Sequence, residues 1–353
     1  ENSQYEGETP DSAVRFVIDD LDFTGLGTLA NTFDVQQVEV LRGPQAGAFG
    51  ANAAGGVVRL VTNAPGPVWS GQIEGGVGGD QLRSGGFAIG GSLTPGNPEE
   101  LMMRFAVSEQ KSDGFRHNVT LNRDTNARDE FSARLRLTWN PAPAWRWDAA
   151  ALFSDVDNGF DEFALDNNGR LTYSDQPGRD EQRSKAVSLR GTFTGNPAVR
   201  LTTVTSATWV KSLYSYDDDW TAASYAGFSE LHRDRAVFNE ELRLDSALAQ
   251  HALGWIDRWT LGAYYSRTNE TSRYTDEDPY DVRGLHTDYK AVNAALFGQI
   301  AHDFTAKTRL LVGLRTERIN VEGRGIRSRY RKTSGSSDPA IMFAPSFDDT
   351  LFG

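Results

Sequence analysis

From about residue 70 onward, apolar residues recur at every second position, the period of a strand with one greasy and one polar face. In "FSARLRLTW", Phe131, Ala133, Leu135, Leu137 and Trp139 share one side, and Ser132, Arg134, Arg136 and Thr138 the other. "WRWDAAALF" sets Trp145, Trp147, Ala149, Ala151 and Phe153 against a more polar row. Trp259, Leu261, Ala263 and Tyr265 align in the same way, as do Leu310, Val312 and Leu314 opposite Arg309, Arg315 and Glu317. Weaker alternation covers roughly 71–79, 85–94, 101–109, 184–194, 200–213, 234–245, 290–302 and 340–347. This predicts about a dozen strands, each near the ten residues that a tilted membrane strand needs.

Connection lengths sharpen the prediction. Short, turn-rich links fall at 95–100, 140–144, 195–198 and 304–308, with a slightly longer one at 246–254. Between them lie long polar stretches at roughly 110–130, 155–182, 214–232, 269–289 and 321–339. Short and long alternate after the first hairpin, as expected of a membrane β-barrel with turns at one rim and loops at the other. A soluble sandwich has no reason to alternate its loops, and a propeller would repeat a blade every 40 to 50 residues, which this sequence does not. Trp139, Trp145, Trp147, Trp209, Trp259 and Tyr264 near strand ends suit aromatic girdles.

Composition removes other classes. The 353 residues include no cysteine, so neither disulfides nor a thiolate metal site is available. A net charge of −12 argues against a nucleic-acid partner. No run of about 18 apolar residues offers a transmembrane helix, which leaves a closed barrel as the bilayer-spanning option. There is no nucleophile elbow, phosphate loop or His-Glu-x-x-His, so no enzyme, cofactor or resident metal is expected. The polar start at Glu1, without a starting methionine or apolar signal, reads as a processed or truncated chain.

Residues 11–66 do not alternate in the barrel manner. Short strand-like pieces there ("RFVIDD", "VQQVEVLRG", "GGVVRLVTN") are joined by glycine turns. The segment "DVQQVEVLRGPQAGAFGANAAGGVVRLVTNAPG" resembles the plug signature of TonB-dependent outer-membrane receptors, through an Arg-Gly-Pro core (Gly43, Pro44), an aromatic-glycine turn (Gly50), a glycine pair (Gly55, Gly56) and a strand ending in Val-Thr. "FNEELRL" at 238–244 and "ALFGQIAHDFTAKTRLLVGLRTE" at 295–317 are similar to barrel segments of that family. The resemblance implies a mixed α/β plug in residues 1–67 and, in 68–353, about half of a 22-stranded transmembrane antiparallel barrel. It further implies a bacterial outer-membrane location, a TonB-type energy-transducing partner, and a scarce external substrate, most simply a ferric siderophore. Haem, cobalamin, nickel chelates and glycans stay open. A passive porin or adhesin barrel is the competing class, and a soluble β-rich glycan-binding or hydrolytic protein a third.

Within that reading, Arg42 is expected to latch the plug onto Glu241 or Glu317, both on lumen-facing parity, through a wet contact of about 1 kcal/mol. Ligand capture is expected at Asp22 and Phe23 in a plug apex spanning 22–31. It is also expected at Tyr216, Asp219 and Trp220 in "YSYDDDWTAASY", and at Tyr274 beside Tyr280 and His286. "GRGIRSRYRK" adds Arg327, Arg329, Tyr330 and Arg331, which could grip an anionic chelate or meet lipopolysaccharide phosphates.

Overall fold

The computed structural model describes residues 12–26, 31–43, 55–166, 169–223, 227–246, 255–305, 307–331 and 347–352. They form two main sheets. Four strands near the N-terminus, β1 (Val14–Ile18), β2 (Leu21–Asp22), β3 (Val35–Arg42) and β4 (Gly56–Thr62), pair in the order β2-β1-β4-β3. Strands β1 and β4 run parallel, while the other two pairings are antiparallel. The described residues of this unit hold strands and turns.

The remaining chain builds a twelve-stranded antiparallel wall. Its strands are β5 (Ser70–Val77), β6 (Arg83–Ser92), β7 (Leu101–Ser112), β10 (Arg128–Ala142), β11 (Trp145–Phe160), β13 (Gly178–Phe193), β14 (Val199–Asp217), β15 (Phe228–Ser246), β16 (Arg258–Glu277), β17 (Asp281–Thr305), β18 (Thr308–Arg331) and β19 (Phe347–Phe352), each paired with its neighbour in this order. Three short strands, β8 (Arg116–Asn118), β9 (Arg123–Thr125) and β12 (Leu171–Thr172), pair as a separate three-stranded ribbon within two of the long connections.

Strand parity decides which face meets which environment. One row crosses the wall as Phe105, Leu135, Ala151, Val187, Ala207 and Phe238, pairing strand to strand. The adjacent row is Ala106, Arg134, Leu152, Ala186, Thr208 and Val237. The first row faces away from the small four-stranded sheet of β1 to β4, and its members Leu135, Val187 and Phe238 are exposed, as a lipid-facing skin must be. The second row faces the small sheet. Leu152, Ala186 and Val210 of the wall form one core cluster with Ile18, Leu21, Phe23, Leu26 and Leu60. Glu240 interrupts the outward skin between Leu242 and Phe238; its two carboxylate oxygens accept hydrogen bonds from Thr203 Oγ1 (3.1 Å) and Thr205 Oγ1 (2.5 Å), which lowers the cost of a charge there.

Several predicted loops are strand instead. Strands β14 and β15 reach Asp217 and Phe228, β16 and β17 are joined across only 278–280, and β18 continues to Arg331. Beyond the greasy band both faces of the wall are wet, so apolar alternation disappears while the backbone ladder persists. A polar ladder therefore reads as a loop in sequence.

Candidate functional site: the seat of the small sheet and the long-loop mouth

Six arginines of the wall project onto the small sheet because each sits on inward parity. Arg104 of β7 grips Asp34 with Nε at 2.9 and 3.1 Å from the two carboxylate oxygens. Arg136 of β10 donates to the carbonyl (2.8 Å) and hydroxyl (3.2 Å) of Thr62 and lies 3.5 Å from Asp19. Arg134 donates to the Phe33 carbonyl. Arg190 of β13 binds Asp20, with Nε at 3.0 Å. On β15, Arg235 donates to the Thr24 carbonyl (2.8 Å) and Arg233 to the Gly25 carbonyl (3.3 Å). Glu270, facing Arg235 on β16, hydrogen-bonds both guanidinium groups. The side chains of Arg233, Arg235 and Glu270 are only 2 to 4% exposed, so their charges rely on one another.

The small sheet is shaped to offer these groups. Asp19 and Asp34 adopt positive φ, 53° and 56°, a conformation that aspartate tolerates better than most residues. Asp19 then accepts from the Thr62 amide at 2.9 Å and hydroxyl at 2.7 Å, tying the β1–β2 turn to the end of β4. Gly56 has φ +148°, and a Cβ there would stand 2.5 Å from the Leu41 carbonyl oxygen, so β3 and β4 can approach only at glycine.

This seat differs from the expected latch. Arg42 ends β3 on an exposed position. Glu241 lies on inward parity but 3.7 Å from Arg243, and Glu317 bonds Asn293 and Arg315 (3.3 Å), so neither glutamate holds Arg42. The attachment runs the other way: the cations stand on the wall, and the small sheet supplies carboxylates and carbonyls. Alternation alone could have found them, since Arg104, Arg134, Arg136, Arg190, Arg233 and Arg235 share inward parity. Gly43 (φ +80°), Gly55 and Gly56 lie at or next to the β3–β4 pairing; Pro44 and Gly50 lie outside the described residues.

Two expected ligand contacts have structural roles. Phe23 is 0% exposed in the core cluster. Asp22 pairs with Arg15 at 3.1 Å and accepts from the Thr24 amide at 3.0 Å. Neither faces an open surface.

At the long-loop end, aromatic rings gather on the inner side of the wall. Phe163 stacks on Trp220 with centroids 5.0 Å apart, and Phe160 meets Tyr214 edge-on at 4.9 Å. Tyr216 contacts both Phe163 and Tyr214, and half-buried Tyr274 shares the inward parity of β16. Asp217 Oδ1 accepts from the amides of Asp219 (3.0 Å) and Trp220 (3.1 Å), a turn that holds Trp220 at φ 58°. Burial, and then the neighbouring Asp219, push the Asp217 carboxyl up to about 6.

Part of the arginine cluster is paired with a carboxylate. Arg329 pairs with Asp281, holding that carboxyl below its ordinary range, and Arg331 lies 3.9 Å away. Arg283 pairs with Asp276 and Asp278 (3.4 Å). Arg327, Arg329 and Arg331 face Leu285, Arg283 and Asp281 on inward parity, whereas Tyr330 faces Val282 on the opposite side. Tyr330 is thereby separated from the arginines with which the sequence grouped it.

The loops carrying the rings are pinned by a buried polar knot. Asp161 accepts from Asn118 Nδ2 (3.0 Å), Thr172 Oγ1 (2.6 Å) and Ser174 Oγ (2.8 Å), all among the most buried groups of the chain. Asp161→Ala strands the buried Thr172 and Ser174 hydroxyls, each costing about 1–3 kcal/mol, while Asn118 Nδ2 keeps the Ser174 carbonyl at 2.8 Å. The expected result is rapid proteolysis within 113–127 and 161–177 with the wall intact, scored by mass spectrometry of the cuts.

No family model matches the chain. Among curated proteins, it is 36% identical to the pesticin receptor of Yersinia pestis over 84 residues, 24% of this chain and 12% of that protein. It is 30% identical to the ferric enterobactin receptor PirA of Pseudomonas aeruginosa over 152 residues, 38% of this chain and 20% of that one. The fold superposes on the ferric yersiniabactin uptake receptor FyuA of Yersinia pestis with a TM-score of 0.74 at 18% identity, covering 99% of this chain and 53% of FyuA. For FpvA of P. aeruginosa, solved with bound ferric pyoverdine, the TM-score is 0.65 at 14% identity, covering 91% and 48%. The chain has the fold of TonB-dependent outer-membrane receptors. Its small sheet corresponds to the residues expected to form a plug, and its wall to those expected to form part of a barrel. It spans about half the length of these solved receptors, and β5 and β19 stand at the edges of its sheet.

Proposed function

We propose that the chain is part of an outer-membrane active transport receptor that binds a ferric siderophore outside the cell and imports it with TonB-coupled energy. The observation that carries this reading is the seat: a sheet held on the polar face of a greasy-skinned wall by six arginines. Such a seat obstructs the lumen and is built of separable polar contacts, as a barrier displaced during transport requires. A passive porin has no use for it. The siderophore assignment rests on the functions of the similar receptors, three of which concern ferric chelates. In this reading no bond is made or broken. Strands beyond β5 and β19 close the barrel, since an open edge in lipid leaves backbone groups unpaired. Exposed Lys111, Arg183 and Lys211, at the rim of the greasy band, would meet headgroup phosphates of the outer leaflet.

The test is uptake of radioactive iron chelates by iron-starved cells carrying or lacking the full-length gene. Gene-dependent uptake of a siderophore that stops when the inner-membrane proton gradient is collapsed is the expected result. Uptake that survives collapse supports the passive barrel. Gene-dependent uptake of haem, cobalamin, a nickel chelate or a glycan in place of siderophores overturns the substrate while keeping the transporter.

A further inference from the structure

At the mouth, a partly open pocket of about 10 Å³, room for one water-sized group, is lined by Phe160, Phe163, Tyr216, Trp220 and Asp217. Asp217 is 4% exposed. Its Oδ1 caps the turn, but its Oδ2 is buried without a hydrogen-bond partner, as are Asp219 Oδ2 and Trp220 Nε1. Buried carboxylate oxygens ordinarily have partners, and here the residue carrying the orphan lines a pocket walled by aromatic rings.

We propose that this cavity is a binding site for a protonated amine, a primary ammonium carried by the imported chelate. The inference rests on the uptake reading for what brings the amine, and on geometry alone for the site. An ammonium head is about the size of the water-sized space. It would donate to Asp217 Oδ2 while its positive charge rests against the ring faces, the pairing of carboxylate and aromatic cage that suits organic cations. Among the described residues no three metal-ligating side chains converge, and an aromatic wall is a poor shell for a hard metal ion, which wants six or more oxygens. The unpaired indole N–H of Trp220 supplies a donor for an acceptor next to the amine.

The surrounding charges favour a cation. Asp218 and Asp219 lie on the same turn, and Asp161 and Glu162 line the cavity from the segment after β11. Asp161 is committed to Asn118, Thr172 and Ser174. Asp218 faces Asp276 and Asp278, with Arg283 as the nearby cation. Without a bound cation, burial and Asp219 raise the Asp217 carboxyl to about 6; a bound ammonium stabilises the charged form. The site therefore gains affinity as pH rises through about 6 and loses it below.

The test uses the full-length receptor in detergent, with butylammonium and butanol as probes and tryptophan fluorescence as the readout. Saturable butylammonium binding is expected, absent with butanol, weakened at least tenfold in Asp217→Asn, and weakened about tenfold between pH 7 and pH 5. An unchanged affinity in Asp217→Asn, an equal response to butanol, or no saturable binding overturns the site. Because the probe carries no iron, failure here leaves the uptake reading untouched, and failure of iron uptake leaves this site standing.

Discussion

Replacing Glu270 with alanine unseats the small four-stranded sheet, the expected plug. The substitution leaves Arg233 and Arg235 as two adjacent buried cations, and removing one member of a buried ionic group costs about 3–5 kcal/mol. Both guanidinium groups then turn toward water, and with them go the bonds that hold the Thr24 and Gly25 carbonyls. In the full-length receptor the plug should be cut by protease far sooner than in wild type, while the detergent-resistant barrel keeps its mobility on a gel. Glu270→Gln retains the shape and one acceptor and should fall between the two. Equal plug digestion in wild type and Glu270→Ala would reject the clasp. Glu241→Gln and Glu317→Gln serve as contrasts: their partners are Arg243 in one case and Asn293 and Arg315 in the other, all on the wall, so both variants should leave the digestion rate unchanged.

Phe23→Ala is the second large effect. The ring is fully enclosed among Ile18, Leu21, Leu26 and Leu60 of the plug and Leu152, Ala186 and Val210 of the wall. Truncating a buried phenylalanine costs about 3–5 kcal/mol, because the walls of the cavity collapse only in part. That loss falls on plug–wall adhesion, so urea should release the plug at a lower concentration with little change in the unfolding of the barrel. Phe23→Leu, which refills most of the volume, should recover most of the midpoint. A midpoint unmoved in Phe23→Ala would mean that the ring contributes nothing to seating. Ligand affinity separates this from the sequence expectation: a contact residue would lose binding in Phe23→Leu, and a packing residue would keep it.

The wall was legible in the sequence because alternation is a local property. A strand in lipid must place apolar groups at every second position, so Leu135 and Leu137 declare their face and Arg134 and Arg136 theirs without any knowledge of neighbours. Polar stretches between the strands gave the rims for the same reason, although β16 and β17 meet across only 278–280. The reading failed where locality failed. Strands β16, β17 and β18 rise past the greasy band, where both faces are wet and the two-residue signal is lost.

The seat belongs to the other category. Sequence placed Glu241 and Glu317 on the lumen side, and their inward parity holds, but parity says nothing of height or of angular position around the barrel. Which cation meets which carboxylate depends on how the plug is rotated against twelve strands, and pairing at hydrogen-bond range fails if that rotation shifts by one strand, about 4.8 Å. Only the packed structure brings Arg104 to Asp34, Arg190 to Asp20, and Arg235 to the Thr24 carbonyl. The same holds for Phe23 and Asp22, which a string of letters placed at an open apex and which tertiary packing enclosed. The order of residues determined the faces of this protein; the meeting of plug and wall, separated by up to 211 residues in the chain, was decided by folding, since long-range contacts leave no local periodicity to read.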